Sequence, residues 1–344
     1  MNTYLYRLTF TGPVHFGASG IGMENSHVTL TSDALTSALI NALCVLGKAD
    51  ETVEILRGDN PGFILSSLFL YQRSGDGTVH YALPKPLCKP PVDNETIQNM
   101  GKEIKKIQYL CPEDTHMWLG DDRLSLDDIS QIKTRSESLI KTAYEEELRP
   151  RVALDRQSSN SSFWRCGVIH FKKGAGLFGL VHIRDNAWKS VLESAFRMLG
   201  DLGLGGERTY GFGTFEFSGF ETPPASWFKK ERNQKRYMLL SSYYPNSKEK
   251  PHIRDIFAAW NFFENRGYIV SGRNTTTFKR KRLRMFSEGS VVHQPVRSGA
   301  CWWMLHPMML KHSDFLIESI APGLRFFFHG GMHERDIRKK GFEI

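Results

Sequence analysis

Residues 200–213 read Gly-Asp-Leu-Gly-Leu-Gly-Gly-Glu-Arg-Thr-Tyr-Gly-Phe-Gly, and this glycine-rich loop decides how the rest of the chain is interpreted. An apolar stripe of helical spacing precedes it, from Trp188 to Leu202, and the alternating run 214–217 predicts a strand after it. A dinucleotide-binding fingerprint requires the opposite order, in which a helix N-terminus meets the pyrophosphate. A Walker phosphate loop is also excluded, since no Gly-Lys-Ser/Thr follows the glycines.

A loop with so little side-chain bulk can bring backbone N–H groups close to a phosphate chain. Arg208 adds a planar cationic donor, and Tyr210 or Phe212 offers a stacking face for a base. The alternative is a structural turn that packs the helix against the strand. The density of glycine exceeds what a turn requires, which favours the binding interpretation.

The segments around this loop predict an antiparallel sheet with helices on one face. Their order is strand, helix, hairpin, insertion, hairpin, helix and strand, at residues 4–10, 32–46, 63–83, 84–165, 167–183, 188–202 and 214–217. A turn at 172–176 joins the two strands of the second predicted hairpin. The insertion begins with several prolines and is polar, so we expect no strong core within it.

This order predicts an α+β fold of two tandem ferredoxin-like (RRM-like) units. The first unit covers residues 1–222 and includes the insertion at about 84–165. Pro223-Pro224 and the polar run that follows predict a domain boundary. Residues 236–344 form a second, degenerate and basic unit in this prediction, with a strand over 237–244 and a helix near 253–263.

The charge is unevenly distributed along the chain. The formal net charge is +8, and residues 229–344 hold 22 Lys and Arg against 10 Asp and Glu, so the preceding part is mildly acidic. The run Lys279-Arg280-Lys281-Arg282-Leu283-Arg284 has five bases in six residues. Because Lys and Arg that neutralise phosphates release condensed counterions, this half predicts a polyanion partner. A solvated basic face is the alternative.

Length and composition are those of a globular protein, with 344 residues, 40% hydrophobic and 24% charged. No stretch approaches the roughly 20 apolar residues that span a bilayer, so no membrane contact is expected. The N-terminus alternates and lacks an apolar signal core, which favours a cytoplasmic protein. The five cysteines are scattered, and His329 and His333 lack a metal-site pattern. No metal or other cofactor is predicted.

Three further stretches, taken with the glycine-rich loop, resemble one family. They are His15-Phe16-Gly17 followed by Ser32-Asp33-Ala34-Leu35, then Val152-Ala153-Leu154-Asp155-Arg156, and then Arg282 to Ser290. The combination resembles the RAMP superfamily of CRISPR proteins, whose hallmark is a glycine-rich loop between a last helix and a last strand. More narrowly, it is similar to the Csm-type subunit of type III-A effector complexes that caps the 5′ end of the CRISPR RNA (crRNA). The family more often has Thr-Gly where this chain has Gln157-Ser158.

The resemblance implies two ferredoxin-like units, a thumb-type insertion in the first, and no catalytic activity. Such a subunit holds the repeat-derived 5′ handle of the crRNA, docks the large polymerase-type CRISPR subunit, adjoins the backbone RAMP subunit of the same complex, and meets target RNA only indirectly. In this chain the glycine-rich loop would cradle handle phosphates, and arginines of the insertion would be thumb-side contacts. The residues assigned to RNA binding are His15, Phe16, Gly17, Arg149, Arg151, Arg156, Gly203, Gly205, Gly206, Arg208, Tyr210, Gly211, Phe212, Gly213, Lys279, Lys281, Arg282 and Arg284.

The sequence leaves two other functions open. The first is a precursor-crRNA endoribonuclease of the same superfamily, with His15 in the loop after the first strand as general base. Ribonucleolysis usually needs a second acid or base, and His15 has no obvious Lys or Tyr partner in the sequence. The second is a protein–protein scaffold without direct RNA contact. The prediction is a non-catalytic RNA-binding subunit.

Overall fold

The structure, a computed structural model, describes residues 2–17, 22–56, 61–154, 161–228, 236–245, 249–265, 268–269, 278–279 and 282–293. The strands of the first half are β1 (Thr3–Phe10), β2 (Phe16–Gly17), β3 (Ser26–His27), β4 (Phe63–Leu65), β5 (Phe69–Arg73), β6 (Val79–Tyr81), β7 (Leu83–Pro84), β8 (Tyr109–Leu110), β9 (Tyr144–Leu154), β10 (Ser161–Phe171) and β11 (Ala175–Ile183). Its helices are α1 (Ser32–Val45), α2 (Ala49–Leu56), α3 (Asn94–Lys106), α4 (Pro112–Leu119) and α5 (Leu126–Ala143).

The second half continues with shorter elements. They are α6 (Trp188–Leu202), β12 (Phe215–Phe217), β13 (Tyr237–Met238), α7 (Ile253–Ile256), β14 (Phe257–Ala259), β15 (Phe262–Asn265), β16 (Tyr268–Ile269), β17 (Phe278–Lys279), β18 (Leu283–Phe286) and β19 (Val291–Val292). Among the described residues, no helix is long and apolar enough to cross a membrane. The His, Cys, Asp and Glu side chains of the same part of the chain form no group that could hold a metal ion.

An antiparallel sheet with strand order β12-β1-β11-β5-β6 forms the centre of the fold, and β4 also pairs with β11. Strand β1 lies between β11 and β12, where Phe10 is the register partner of Phe215. Helices α1 and α6 cover one face, and their residues Leu39 and Phe196 are fully buried with Tyr6 of β1. The predicted antiparallel sheet with packed helices is therefore confirmed.

Residues from the C-terminal part of the chain cover the other face of this sheet. Leu5 and Phe178 pack there against Trp227, Met238 and Val291, and all five side chains are buried. The Trp227 ring lies 5.8 Å from that of Phe178. An RNA-recognition module stacks bases on an exposed sheet face. Because this face is closed, it is not available for stacking bases in this way.

The insertion has a small core of its own, contrary to the expectation from its polar sequence. Trp118 of α4 is 1% exposed, and its Nε1–H donates to the carbonyl of Cys88 at 3.0 Å. Ile107, Ile129 and Ile132 are buried in the same cluster. The isoleucines lie on the inner side of amphipathic elements whose other sides are charged, so the overall polarity of the segment concealed them.

Strands β9 and β10 form a long hairpin, here called the thumb hairpin, whose register runs from Tyr144↔Phe171 to Leu154↔Ser161. The predicted pairing of 167–171 with 177–183 is wrong, because β10 pairs with β9 while β11 lies in the central sheet. The turn itself is present, since the N–H of Ala175 donates to the carbonyl of Lys172 at 2.9 Å. Strand β11 is buried along nearly its whole length, and the partners of such a strand are set by long-range packing.

The predicted helix near 253–263 is also wrong, since α7 ends at Ile256 and the chain continues as β14 and β15. The rings of Phe257 and Phe262 lie 4.1 Å and 4.4 Å from that of Phe286, and this cross-strand packing overrides the helical spacing. The strand predicted over 237–244 is formed at Tyr237–Met238. Residues beyond 293, with His329 and His333, lie outside the described residues.

A polar cluster links the first half of the chain to the second. The hydroxyls of Ser67 and Ser242 lie within hydrogen-bond distance of Oε1 of Glu288, and Ser242 also donates to Asp33 at 3.0 Å. The Asn265 amide donates to the other carboxylate oxygen of Asp33. Burial, and then the nearby negative charge of Asp33, raises the pKa of Glu288. The cluster therefore stabilises the protonated form of this carboxyl group relative to that of an ordinary glutamate.

Glu288→Gln should reduce the pH dependence of stability. Because the folded pKa of Glu288 is raised, its contribution to the free energy of unfolding is complete below the ordinary glutamate pKa and is lost as pH rises through the raised value. The amide cannot titrate, so the unfolding midpoint in urea should fall less between about pH 5 and about pH 8 than in the wild-type chain. Glu54→Gln, on an exposed position of α2, is the control. An unchanged pH dependence in Glu288→Gln would contradict the assignment.

Candidate nucleic-acid interface

The glycine-rich loop between α6 and β12 follows a path that only glycine adopts easily. Gly203, Gly205, Gly211 and Gly213 have φ values of +79°, +100°, +81° and +77°. At Gly213 a Cβ atom would also lie 2.1 Å from the carbonyl oxygen of Leu204. The loop conformation therefore depends on glycine through both backbone dihedral angles and close backbone contacts.

The loop closes against the segment that follows β1. A Cβ atom at Gly205 would lie 2.6 Å from the carbonyl oxygen of His15 and 2.8 Å from the ring of Phe16. The N–H of Gly206 donates to the same His15 oxygen at 2.8 Å. The imidazole of His15 is 6% exposed, and its Nδ1–H donates to the carbonyl of Gly167 in β10 at 2.7 Å. His15 thus joins the loop, the N-terminal segment and the thumb hairpin.

Several amide groups of the loop are already used inside the protein. The N–H of Gly203 donates to Leu199, that of Leu204 donates to Gly213, and that of Gly213 donates to Pro13, each at 2.9 Å. A backbone N–H has one proton to donate. These amides cannot also cradle a phosphate unless the loop rearranges, so packing is a main use of the glycines.

Other backbone donors of the loop belong to exposed residues. Gly205, Arg208 and Thr209 are exposed, and their N–H groups have no acceptor among the described residues. The Arg208 side chain is also exposed, its Cγ lies 3.4 Å from the Cβ position of Gly203, and no acidic group of the described residues pairs with it. Main-chain donors and a free guanidinium together are suited to an anionic ligand such as a phosphate.

Two arginines of the thumb hairpin lie against the aromatic residues of the loop. The guanidinium of Arg151 is 4.4 Å from the ring centroid of Tyr210 and 5.5 Å from that of Phe212, and Arg149 is also 5.5 Å from Phe212. Phe212 is 3% exposed, whereas Tyr210 is 65% exposed. Of the two predicted stacking residues, Tyr210 is therefore the one with an open ring. Glu207 completes the arrangement, 3.5 Å from Arg151.

The charge of Arg149 is offset by a carboxylate. Its Nε and Nη2 donate to the two oxygens of Glu147 at 3.1 Å and 2.8 Å, and Nε2 of His170 lies 2.7 Å from the same carboxylate. The hydrogen bonds from Arg149 and His170 lower the pKa of Glu147 to about 2. Glu147 therefore stays ionised at neutral pH, and of the arginines at this surface Arg208 carries the uncompensated charge.

The structure brings the loop, the His15 segment with Gly17, and two thumb arginines together, but within the described residues it shows no contact between these and the predicted RNA-binding residues of the C-terminal part. Arg282 and Arg284 are exposed, and no hydrogen bond, ion pair or ring contact of the described residues joins them to the loop. Lys279 lies in strand β17. Gly17 is exposed and adjacent to His15. Two predicted residues lie outside the described residues: Arg156 and Lys281.

The sequence reasoning missed two acidic residues of this surface. Glu207 has a φ of +57°, the only positive value of a non-glycine residue among those described. The signal available in the sequence is an acidic residue placed among glycines, directly before Arg208. Glu147 was missed because its neighbour His170 is far away in sequence. The two come together only when β9 pairs with β10.

Comparisons with known proteins point to one family. The profile of the CRISPR Csm4 C-terminal domain matches residues 232–301. The CRISPR system Cms protein Csm4 of Thermococcus onnurineus is 30% identical over 193 residues, which are 54% of this chain and 61% of that relative. The protein of the same name from Mycobacterium tuberculosis is 27% identical over 301 residues, 87% of this chain and 91% of the relative.

Two solved structures have a similar fold. A Csm3–Csm4 subcomplex of the type III-A CRISPR-Cas interference complex contains a chain with a TM-score of 0.52 and 19% identity, and the match covers 85% of this chain and 93% of that one. A Csm1–Csm4 cassette in complex with pppApA gives a TM-score of 0.50 and 20% identity, covering 85% and 87%. In both comparisons the shared fold covers most of this chain.

Alanine at two glycines of the loop should separate dihedral strain from steric conflict. Gly211→Ala adds a Cβ atom to open space, so we expect it to cost about 1 kcal/mol for the left-handed backbone alone. Gly213→Ala adds the same strain and a clash with Leu204, so we expect a loss of roughly 3 kcal/mol or more. Urea unfolding of both variants measures the difference. Equal losses would mean that the described close contact does not limit the loop.

Proposed function

We propose, from the matches to the Csm4 C-terminal domain and to Csm4 relatives, that the chain is a member of the Csm4 family and a non-catalytic RNA-binding subunit of a type III-A-like interference complex. In this role it anchors the 5′ handle of the crRNA. The observation that carries the proposal is the meeting of the loop with the base of the thumb hairpin. There Arg208 and Tyr210 are both exposed residues of one short turn, and Arg151 of the thumb hairpin lies on the Tyr210 ring.

The chemistry of this surface fits a single-stranded RNA backbone. The guanidinium of Arg208 and the amides of Gly205 and Thr209 can contact phosphates, and such contacts position RNA without reading its sequence. Tyr210 can stack on a splayed base, with Arg151 already packed on its ring. Arg156, Lys281 and the exposed Arg282 and Arg284 would extend the contacts along the RNA.

The architecture proposed for the chain is two tandem ferredoxin-like units, at 1–222 and 236–344. The strand order β12-β1-β11-β5, with α1 and α6 as the connecting helices, supports this assignment for the first unit. The thumb hairpin supports the thumb-type insertion. The second unit is proposed from the sequence and from the family match to its C-terminal domain.

The proposed partners follow from the family. Csm4 proteins with a similar fold are present in structures with Csm1 and with Csm3. We therefore assign this chain a large polymerase-type partner, a backbone RAMP partner and a crRNA, with target RNA reached through the complex. A cytoplasmic location is part of the same proposal.

The environment of His15 argues against the endoribonuclease alternative. Its ring is buried, and Nδ1 is held by the carbonyl of Gly167 while its own backbone oxygen accepts from Gly206. A general base must reach the proton it abstracts. The contacts of His15 instead suit a residue that joins the loop to the thumb hairpin.

Arg208→Ala should weaken retention of the crRNA by the assembled complex. The loss of one phosphate contact should cost about 1–2 kcal/mol and lower the slope of log affinity against log salt by roughly 0.7. Filter binding of labelled crRNA across a salt series measures both quantities. Arg197→Ala, an exposed arginine of α6, is the matched control and should leave both unchanged. An unchanged salt slope in Arg208→Ala would count against the phosphate contact.

No cleavage is expected when the purified complex is incubated with repeat RNA in a chelator. The product pattern on a denaturing gel should match that of RNA alone, both for the wild-type protein and for His15→Ala. Metal-independent cleavage that disappears in His15→Ala would reverse the assignment and favour the precursor-crRNA endoribonuclease. Separately, an assembled complex without any RNA crosslink to residues 203–213 or to residues 279–284 would favour a scaffold without RNA contact.

A further inference from the structure

The hairpin of β15 and β18 has one face fixed against the first half of the chain. Leu283 and Met285 are buried, with exposures of 6% and 2%. Asn265, the register partner of Leu283, donates its side-chain amide to Asp33 of α1. Because successive residues of a strand point to opposite faces, the residues between these buried positions face outward on a rigid support.

The outward face of this hairpin combines an aromatic ring with arginines. Phe262 is 48% exposed, and the side chain of Arg284 is 78% exposed. Phe262 pairs with Phe286 and Glu264 with Arg284, so Phe262 and Arg284 are diagonal neighbours on one face. The guanidinium of Arg284 is 3.5 Å from Glu264, an exposed pair that holds it weakly.

Neighbouring aromatic rings hold the exposed rings of Phe262 and Trp260 in place. The ring of Phe286 is stacked on that of Phe257 at 4.1 Å and 12°, and the ring of Phe262 lies 4.4 Å from that of Phe286. Trp260 is 43% exposed and meets Phe257 edge-on at 6.2 Å. Rings that are already ordered lose little conformational freedom when a planar ligand stacks on them.

The charge around this face selects the kind of partner. Arg282 is exposed directly before β18, and the run 279–284 is dominated by bases. An alternation of aromatic faces and cationic groups is how proteins hold single-stranded nucleic acids, in which each base offers a stacking surface and each linkage a phosphate.

Resting on the proposed function, we propose that the outward face of the β15–β18 hairpin is a second RNA site, separate from the glycine-rich loop. It takes unpaired ribonucleotides, with a base stacked on Phe262 or Trp260 and phosphates on Arg282 and Arg284. The aromatic rings add a stacking contact with the nucleobase, which the Lys and Arg residues of 279–284 alone do not supply. Unpaired nucleotides could come from the crRNA or from the target RNA bound to the complex.

Photocrosslinking of the assembled complex identifies the site and the source of the RNA. One preparation carries 4-thiouridine in the crRNA and another carries it in the target RNA, and crosslinked peptides are mapped by mass spectrometry. Adducts within residues 260–264 or 282–286 support the second site, and the labelled strand names the source. Adducts at residues 203–213 without any at the hairpin overturn the second site alone. Adducts at neither segment overturn the proposed function as well.

Substitutions at Phe262 test stacking without removing the apolar packing. Phe262→Leu fills the space against Phe286 but offers no ring, whereas Phe262→Tyr keeps the ring. We expect Phe262→Leu to reduce hairpin crosslinks at least about fivefold and Phe262→Tyr to keep them. Leu126→Ala, at an exposed apolar position of α5, is the control.

Assembly of the variants provides the second readout. Arg284→Ala should reduce hairpin crosslinks, and Phe262→Leu should then reduce them by a smaller factor than it does in the wild-type chain. Complex assembly and thermal stability should stay at the wild-type level. If Phe262→Leu and Arg284→Ala leave crosslinks unchanged and instead release a protein subunit, the face contacts protein and the second RNA site is wrong.

Discussion

The close approach of the glycine-rich loop to the carbonyl of His15 holds the functional region together. At Gly205 this oxygen occupies space that any Cβ atom would need, and the N–H of Gly206 is bonded to it. The His15 imidazole then reaches Gly167 in the thumb hairpin. One backbone contact therefore fixes the end of α6, the start of β12 and the base of the hairpin. If the loop were wider, the two arginines and Tyr210 would not share one surface.

The ion pairs of this surface orient the arginine side chains more than they stabilise the fold. Glu147 holds Arg149, and Glu207 lies beside Arg151, yet these pairs are partly exposed, where ion pairs contribute little to the free energy of folding. Their effect is that each guanidinium is already oriented, so less freedom would be lost on binding the proposed RNA. Arg208 has no such carboxylate among the described residues and supplies net positive charge. The surface is thereby ordered without becoming neutral.

Local sequence signals predicted the elements of the first half better than their partners. The alternation of β1 and the apolar stripes of α1 and α6 have a single structural interpretation, and the central sheet follows them. The turn at 172–176 sets only where the chain reverses, so it could not reveal that β10 leaves the sheet to pair with β9. The density of glycines likewise located the loop, but it could not show which N–H groups donate to acceptors within the protein. The acceptor for Gly213, for example, is the carbonyl of Pro13, which is far away in sequence.

Closure of both faces of the central sheet determines where binding can occur. Helices cover one face and the segment containing Trp227 and Met238 covers the other, so neither face can hold bases as an RNA-recognition module does. The end of the sheet where β1 stops and β12 starts lies outside both covered faces, as does the outward face of the β15–β18 hairpin. Loops and hairpins supported by a rigid core are where proteins usually place binding residues. The C-terminal segments thus close one face of the sheet and, in the proposed function, offer RNA a different surface through their basic hairpin.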